Sequence, residues 1–285
     1  MAVTSFKRNV WAANLLTALR KALVSEFFVN HDYEGYVPGA KSVTINTLSD
    51  ITVKDYDGSD ITFDDLSTTD QTLLLDFMKD FAFQVKDVDK VQVASGGELM
   101  TKATQNAAYK VAEAIDKKNF DTLTTGAGVV IETDNAPRVL LTAEDAKAAI
   151  LDLVEKANDV NVPEEGRVVA IPNRVERLLL SDKYLGLSPA TGEDVLRRGY
   201  IGRLFNVELY RTNQLQTREN ADEKNVTDII LSHPKFMTEA IQLEELEAGR
   251  REANFSDYVK GLFVSGRKVI IPQGVIRMVV NFDAE

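Results

Sequence analysis

Apolar side chains near the start of the chain recur at every fourth position: Trp11, Leu15, Leu19, Leu23 and Phe27. This spacing predicts one stripe of an amphipathic helix over residues 10–29, which needs a partner surface. Asn14, Arg20, Lys21 and Glu26 interrupt the same stretch, so it reads neither as a membrane span nor as the unbroken apolar core of an export signal. The following segment, 31–39, is turn-rich and has no period. Residues 42–95 change to a β-like pattern. Ile51-Thr-Val53 and Ile61-Thr-Phe63 flank Asp57-Gly58, and a three-residue loop, Tyr56-Asp57-Gly58, pairs Val53 with Ile61 and Ile51 with Phe63. This register gathers the apolar residues on one face of a hairpin, whereas a two-residue loop scatters them over both. From 72 to 86, Leu73, Leu75, Phe77, Phe81, Phe83 and Val85 alternate at odd positions. The run 81–85 is strand, 72–79 fits strand or helix, and a single strand over all of 72–86 would reach about 50 Å.

Further along, Leu99, Ala103, Ala107, Val111 and Ile115 predict a long helix over 98–118. Ala146, Ala149, Ile150, Leu153, Val154 and Ala157 predict a second over 143–158, with Thr142 and Asp145 spaced as a capping box. Short strands are expected at 167–171, 205–211 and 226–232, with a helix at 174–180 between the first two. The chain closes with strands at 236–243, 259–264, 268–271 and 275–282. The class is α+β.

Composition then removes function classes. The 285 residues suffice for a large core without disulfides. With no cysteine and only two histidines, His31 and His233, thiol chemistry, thiolate metal sites and a histidine-rich zinc site are excluded. Lys and Arg total 33 against 44 Asp and Glu, a net charge of −11 that argues against gripping nucleic acid. The charge is uneven: residues 1–30 carry +3, whereas 42–95 hold eleven Asp and four Lys. Gly126-Ala-Gly128 lacks the third glycine of a dinucleotide fingerprint, and the acidic stretch 55–60 lacks the ligand order of a calcium loop. Each histidine reads as a loop residue. Glu244, Glu245 and Glu247 beside Arg250 and Arg251 read as a solvated or interfacial charge cluster; a soluble α/β enzyme would have to centre on Glu244, Glu245 and Arg251. Nothing here amounts to an active site, a cofactor site or a metal site.

Taken in order, these stretches resemble the major capsid protein of tailed bacteriophages, a fold shared with encapsulin compartments. The resemblance runs through Phe6-x-x-x-Val10-Trp11, Tyr33-Glu-Gly35, the 55–87 segment ending Phe81-Ala-Phe-Gln-Val-Lys-Asp87, and the helix 98–118. It continues through Asn161-Val-Pro163, Arg167-Val-Val-Ala-Ile-Pro172 and Gly202-x-x-Phe205-Asn-Val-x-Leu-Tyr210-x-x-Asn213. Its last stretch is Phe255-x-Asp-Tyr-Val-x-Gly-Leu-Phe-Val-x-Gly266-x-Lys-Val269. It implies an N-terminal arm at 1–41, an extended β-hairpin loop at 42–93, and a peripheral domain from 94–123, with its spine helix, and 231–285. A mixed α/β axial domain would occupy 124–230.

The resemblance further implies a structural role without catalysis or cofactor. Copies of the chain would form hexamers and pentamers of an icosahedral head, made in the host cytoplasm as a procapsid that expands as DNA is packaged. Scaffolding, portal and decoration proteins are its implied partners, no membrane is involved, and the DNA is enclosed without specific binding. In-chain scaffolding is expected to be absent or already removed. The alternative within the fold is an encapsulin-like compartment. An apolar hairpin face with five carboxylates between Asp55 and Asp65 needs a seat outside itself. The expected contacts between subunits are therefore Trp11, Ile51, Val53, Asp55, Asp57, Asp60, Ile61 and Phe63, facing Arg250, Arg251, Arg267 and Lys268 of a neighbour.

Overall fold

The computed structural model of the protein describes residues 23–34, 42–48, 55, 68–86, 96–181, 199–222, 224–251 and 255–283. The predicted first helix lies mostly outside these residues. Its described end holds a 3-10 turn, Ser25–Phe28; Leu23 just before the turn and Phe28 within it are fully buried. Strand β1 (Ser42–Leu48) runs antiparallel to β2 (Thr68–Leu74), Ser42 facing Leu74 and Leu48 facing Thr68. The two strands form the stem of the acidic loop. The predicted hairpin over 51–63 lies outside the described residues apart from Asp55, which is exposed.

The alternating run 72–86 is strand throughout its regular parts, but it is two strands rather than one. Strand β3 (Phe77–Lys86) begins after a break at Leu75 and Asp76. The break has a packing cause. Leu73 and Leu75 join Val43, Ile45 and Ala240 in a small core under the stem, whereas Phe77, Phe81 and Phe83 pack on a different cluster with Val111, Ile115 and Phe263. One straight strand cannot serve both.

Helix α1 (Gly96–Gly126) is longer than the expected 98–118 and spans about 46 Å at 1.5 Å per residue. Its buried face uses Ala108, Val111, Ala112 and Ile115, and the lysines at 117 and 118 do not end it because Phe120 and Leu123 carry the stripe into the main core. Strands β4 (Val129–Ile131) and β5 (Arg138–Val139) follow, then α2 (Ala143–Asp159). Thr142 and Asp145 form the predicted capping box: the Thr142 hydroxyl accepts from the Asp145 N–H at 3.2 Å, and the Asp145 carboxylate accepts from the Thr142 N–H at 2.8 Å.

Strand β6 (Val168–Ile171) is buried at every position, and Pro172 turns the chain into α3 (Asn173–Leu180). Strands β7 (Tyr200–Leu204) and β8 (Val207–Arg211) form a hairpin whose two-residue turn, Phe205-Asn206, is left-handed at both residues, with φ of 50° and 65°. The predicted strand 205–211 is thereby shortened to 207–211, and β7 is additional. After β9 (Thr217–Glu219) and β10 (Asn225–Ser232) come two long strands, β11 (Met237–Arg250) and β12 (Ser256–Val269), and finally β13 (Ile276–Asn281).

Two larger sheets result. One has the order β4–β13–β10–β6–β8–β7, with β5 against β13 and β9 against β10, and α2 packs its face of Ala146, Ala149, Ile150, Leu153 and Ala157 into the main core. Strand β13 lies between β10 and β4, so this sheet crosses the sequence division at 230/231. The other sheet, β11–β12–β3, is antiparallel and packs on α1. The expected breaks after 243 and around 265–267 are absent. Residues 244–250 continue β11 through a register shift between Leu243 and Glu245. Glu247 faces Lys260 and their side chains pair at 2.7 Å, while Arg250 faces Asp257.

Candidate inter-subunit site

The described members of the predicted contact set fall into three environments. Asp55 is exposed. Arg250 and Arg251 are exposed at the end of β11. The Arg250 guanidinium lies over the ring of Phe255, 5.9 Å from its centroid, and Phe255 is itself 79% exposed. Arg251 donates to Gln84 Oε1 at 2.7 Å, beside an open hollow lined by Phe83, Tyr258 and Lys260. Of the residues on which an enzyme would have to centre, Glu244 and Glu245 lie within β11 and Arg251 directly follows it. Lys268 is half-buried and donates from Nζ to the Thr72 carbonyl at 3.1 Å, tying the stem to β12. Trp11, Ile51, Val53, Asp57, Asp60, Ile61 and Phe63 lie outside the described residues.

Arg267 requires a correction. Its side chain is only 3% exposed, packed over the ring of Phe77 at 4.5 Å and 4.0 Å from the Glu239 carboxylate. It also donates to the Ser265 hydroxyl. A guanidinium used this way inside its own chain cannot serve as an open cation for a neighbour.

Arg267 instead belongs to a buried polar junction where segment 23–34 crosses α1 and β11. Asp116 projects from α1 and accepts the backbone N–H groups of Val24 at 3.0 Å and Ser25 at 2.9 Å. One turn on, Asn119 donates to both the Ser25 hydroxyl and Glu239 Oε2, each at 2.8 Å. Asn30 extends β11 by one bridge, its N–H donating to the Met237 carbonyl and its own carbonyl accepting from the Glu239 N–H, each at 2.9 Å. His31 sits between Glu26 and Glu34, 3.3 Å from each, with Nδ1 also 3.2 Å from the Glu239 carbonyl. Burial opposes charge on the imidazole, but the two carboxylates outweigh it and hold His31 up at about 10. Burial pushes Asp116 up to about 6 and Glu239 to about 7, against the hydrogen bonds and cations that favour their ionised forms.

This junction is not legible as a unit because its members lie on four separate segments, 23–34, α1, β11 and β12. A trace was present nonetheless: Asp116 and Asn119 stand on the buried side of an otherwise apolar helix stripe, three residues apart. His233 is equally structural. Its Nδ1 accepts the Lys235 N–H at 3.1 Å, which leaves Nε2 to donate to the Glu165 carbonyl at 3.0 Å, and burial holds its pKa down.

A second polar cluster fastens the main sheet. Asp228, fully buried on β10, accepts from Arg218 at 2.7 and 3.0 Å and from Arg277 at 2.9 Å, and both guanidinia also reach Asp134. Hydrogen bonding from Arg218 holds Asp134 below the usual carboxylate range, and Asp228 raises Arg218 further. Among the described residues no group of His, Asp and Glu is arranged to hold a metal ion, and no helix is long and apolar enough to cross a membrane.

Neither a family model nor a curated protein matches the sequence. Solved structures do match the fold. A chain from Mycobacterium phage Che8 is 29% identical over 90% of each chain, with a TM-score of 0.67. The capsid of Ralstonia phage GP4 reaches the same TM-score, 0.67, at 14% identity over 90% of this chain and 87% of that one. A virus-like particle from Pyrococcus furiosus is 12% identical and covers 96% of this chain and 100% of its own, with a TM-score of 0.57.

Proposed function

We propose that this chain, whose fold is that of the major capsid proteins of tailed bacteriophages, is a structural shell subunit that works by self-association and carries out no chemistry. Identical copies form hexamers and pentamers, and these close into an icosahedral head around packaged DNA. The observation that carries this reading is the match to the Ralstonia phage GP4 capsid along nearly the whole chain, joined by the phage Che8 chain at 29% identity. A separate scaffolding protein, a portal and decoration proteins are the partners such a head uses. The net charge of −11 suits a wall that encloses DNA without adhering to it.

Electron microscopy of the expressed chain, alone and with its scaffolding protein, tests the proposal. Uniform shells or tubes are the expected outcome; a discrete small oligomer under every condition refutes it. The full coverage of the Pyrococcus particle favours one second reading, a compartment shell around protein cargo. The contents of purified particles separate the two: nucleic acid for a head, a co-purifying protein for a compartment.

A further inference from the structure

Among the described residues, the arm junction holds more acid than base. Glu26 and Glu34 on the arm, Asp116 on α1 and Glu239 on β11 bring four carboxyl groups together, and Asp76, beyond the end of β2, acts on Arg267 from a further side. Facing them are two cations, His31 on the arm and Arg267 on β12. His31 is taken up by Glu26 and Glu34. Arg267 stands 4.0 Å from Glu239, whose Oε1 is buried without a hydrogen-bond partner. Asp116 has backbone N–H donors but no ion pair among the described residues.

The lid over these groups is the arm itself. Val24, Ser25 and Asn30 cover Asp116 and Glu239 with their backbone, and lifting them would return both carboxyl groups to water. We propose that this junction is a proton-operated clasp: segment 23–34 seats on α1 and β11 with protons held in the cluster and loosens as the cluster gives them up.

The direction follows from linkage. In the seated arm Asp116 titrates at about 6 and Glu239 at about 7, above the roughly 4 of free carboxyl groups. His31 titrates at about 10, above the roughly 6.5 of a free imidazole. Asp116 and Glu239 bind protons more tightly when the arm is down because lifting returns them to water. His31 does so because Glu26 and Glu34, which share its arm, are held against it only while the segment keeps its seated shape. The seat is therefore firmest at mildly acid pH and weakens as pH rises. The carboxyl groups contribute this slope between about pH 4 and 7, and His31 between about pH 6.5 and 10. Depressed carboxylates such as Asp134 and Asp145 run the other way, losing their contribution as pH falls, so the arm and the body respond oppositely to acid. The clasp does not depend on shell formation.

Hydrogen exchange of the full-length chain, read by mass spectrometry and corrected for the intrinsic rate at each pH, tests it. Between pH 6 and pH 9 the opening of peptides covering 23–34 is expected to increase at least about tenfold, while peptides from β10 keep their protection. Glu239→Gln, which removes the fully buried carboxyl, is expected to flatten the dependence below pH 7. Glu34→Gln, milder because Glu34 is half-buried on the arm, is expected to bring the His31-linked loosening to lower pH, with several-fold more opening at pH 8. It decides the matter should Glu239→Gln not fold. Arm protection that stays flat or grows as pH rises overturns the clasp, as does a loosening above pH 7 that Glu34→Gln leaves at its wild-type pH.

Discussion

Phe205 and Asn206 turn the β7–β8 hairpin in left-handed backbone, a conformation that suits asparagine and costs a bulky residue about 1 kcal/mol or more. Phe205 is 39% exposed, so little packing compensates. Phe205→Gly is therefore expected to stabilise the chain by roughly 0.5–1 kcal/mol, seen as a rise of about 1–2 °C in Tm. Gly266 has the opposite sensitivity. A Cβ there would stand 2.4 Å from the Leu74 carbonyl oxygen, a backbone atom that cannot step aside. Gly266→Ala is expected to cost about 1–3 kcal/mol in chemical denaturation by forcing the stem off β12. Neither position is legible from its neighbours in sequence. Phe205 reads as the first residue of a strand until pairing shows Leu204 opposite Val207, and Gly266 reads as a strand break until the Leu74 carbonyl is seen against it.

At the level of elements, what is local was readable and what is paired was not. Helix α2 appears almost to the residue because its stripe and its Thr142–Asp145 cap are contained in seventeen positions and the one before. Thr142→Ala is expected to lower stability by about 1 kcal/mol, measured as a reduced urea midpoint at unchanged slope. The lengths of β11 and β12, by contrast, depend on pairing across the ribbon, where Glu247 meets Lys260 and Arg250 stands opposite Asp257. The joint between β2 and β3 depends on two cores pulling the chain to different sides. Strand β10 illustrates a third kind of blindness: Asp228 looks like a polar interruption in Val226–Ile230, yet it anchors two guanidinia. Asp228→Ala would strand Arg218 and Arg277 half-buried beside Asp134 alone and is expected to cost about 3 kcal/mol. A fall of several degrees in Tm without loss of helical circular dichroism at 20 °C would register it.

For the molecule as a whole, the order of the elements is enough to suggest the fold, whereas the burial of each charged side chain is not legible in the sequence. The acidic hairpin expected over 51–63 lies outside the described residues apart from Asp55, and on the cationic side burial removes Arg267 while leaving Arg250 and Arg251 exposed. The double change Asp57→Lys with Asp60→Lys is expected to abolish or sharply reduce shell formation in electron micrographs while the circular dichroism of the subunit is unchanged; normal shells would dismiss the acidic loop as an assembly element. Each exposed pair would contribute at most about 1 kcal/mol, so assembly should also weaken as salt is raised. The stem beneath that loop has a consequence of its own. Lys268 holds the Thr72 carbonyl, Gly266 lets the Leu74 backbone touch β12, and Val43, Ile45, Leu73 and Leu75 are sealed against Ala240. The bearing with which the chain departs at Leu48 and returns at Thr68 is thus dictated within a single subunit before any companion arrives. In a lattice built from such units, radius of curvature would be inherited from that angle, and altering the root rather than the tip would be the way to make tubes, flat sheets or balls of another size.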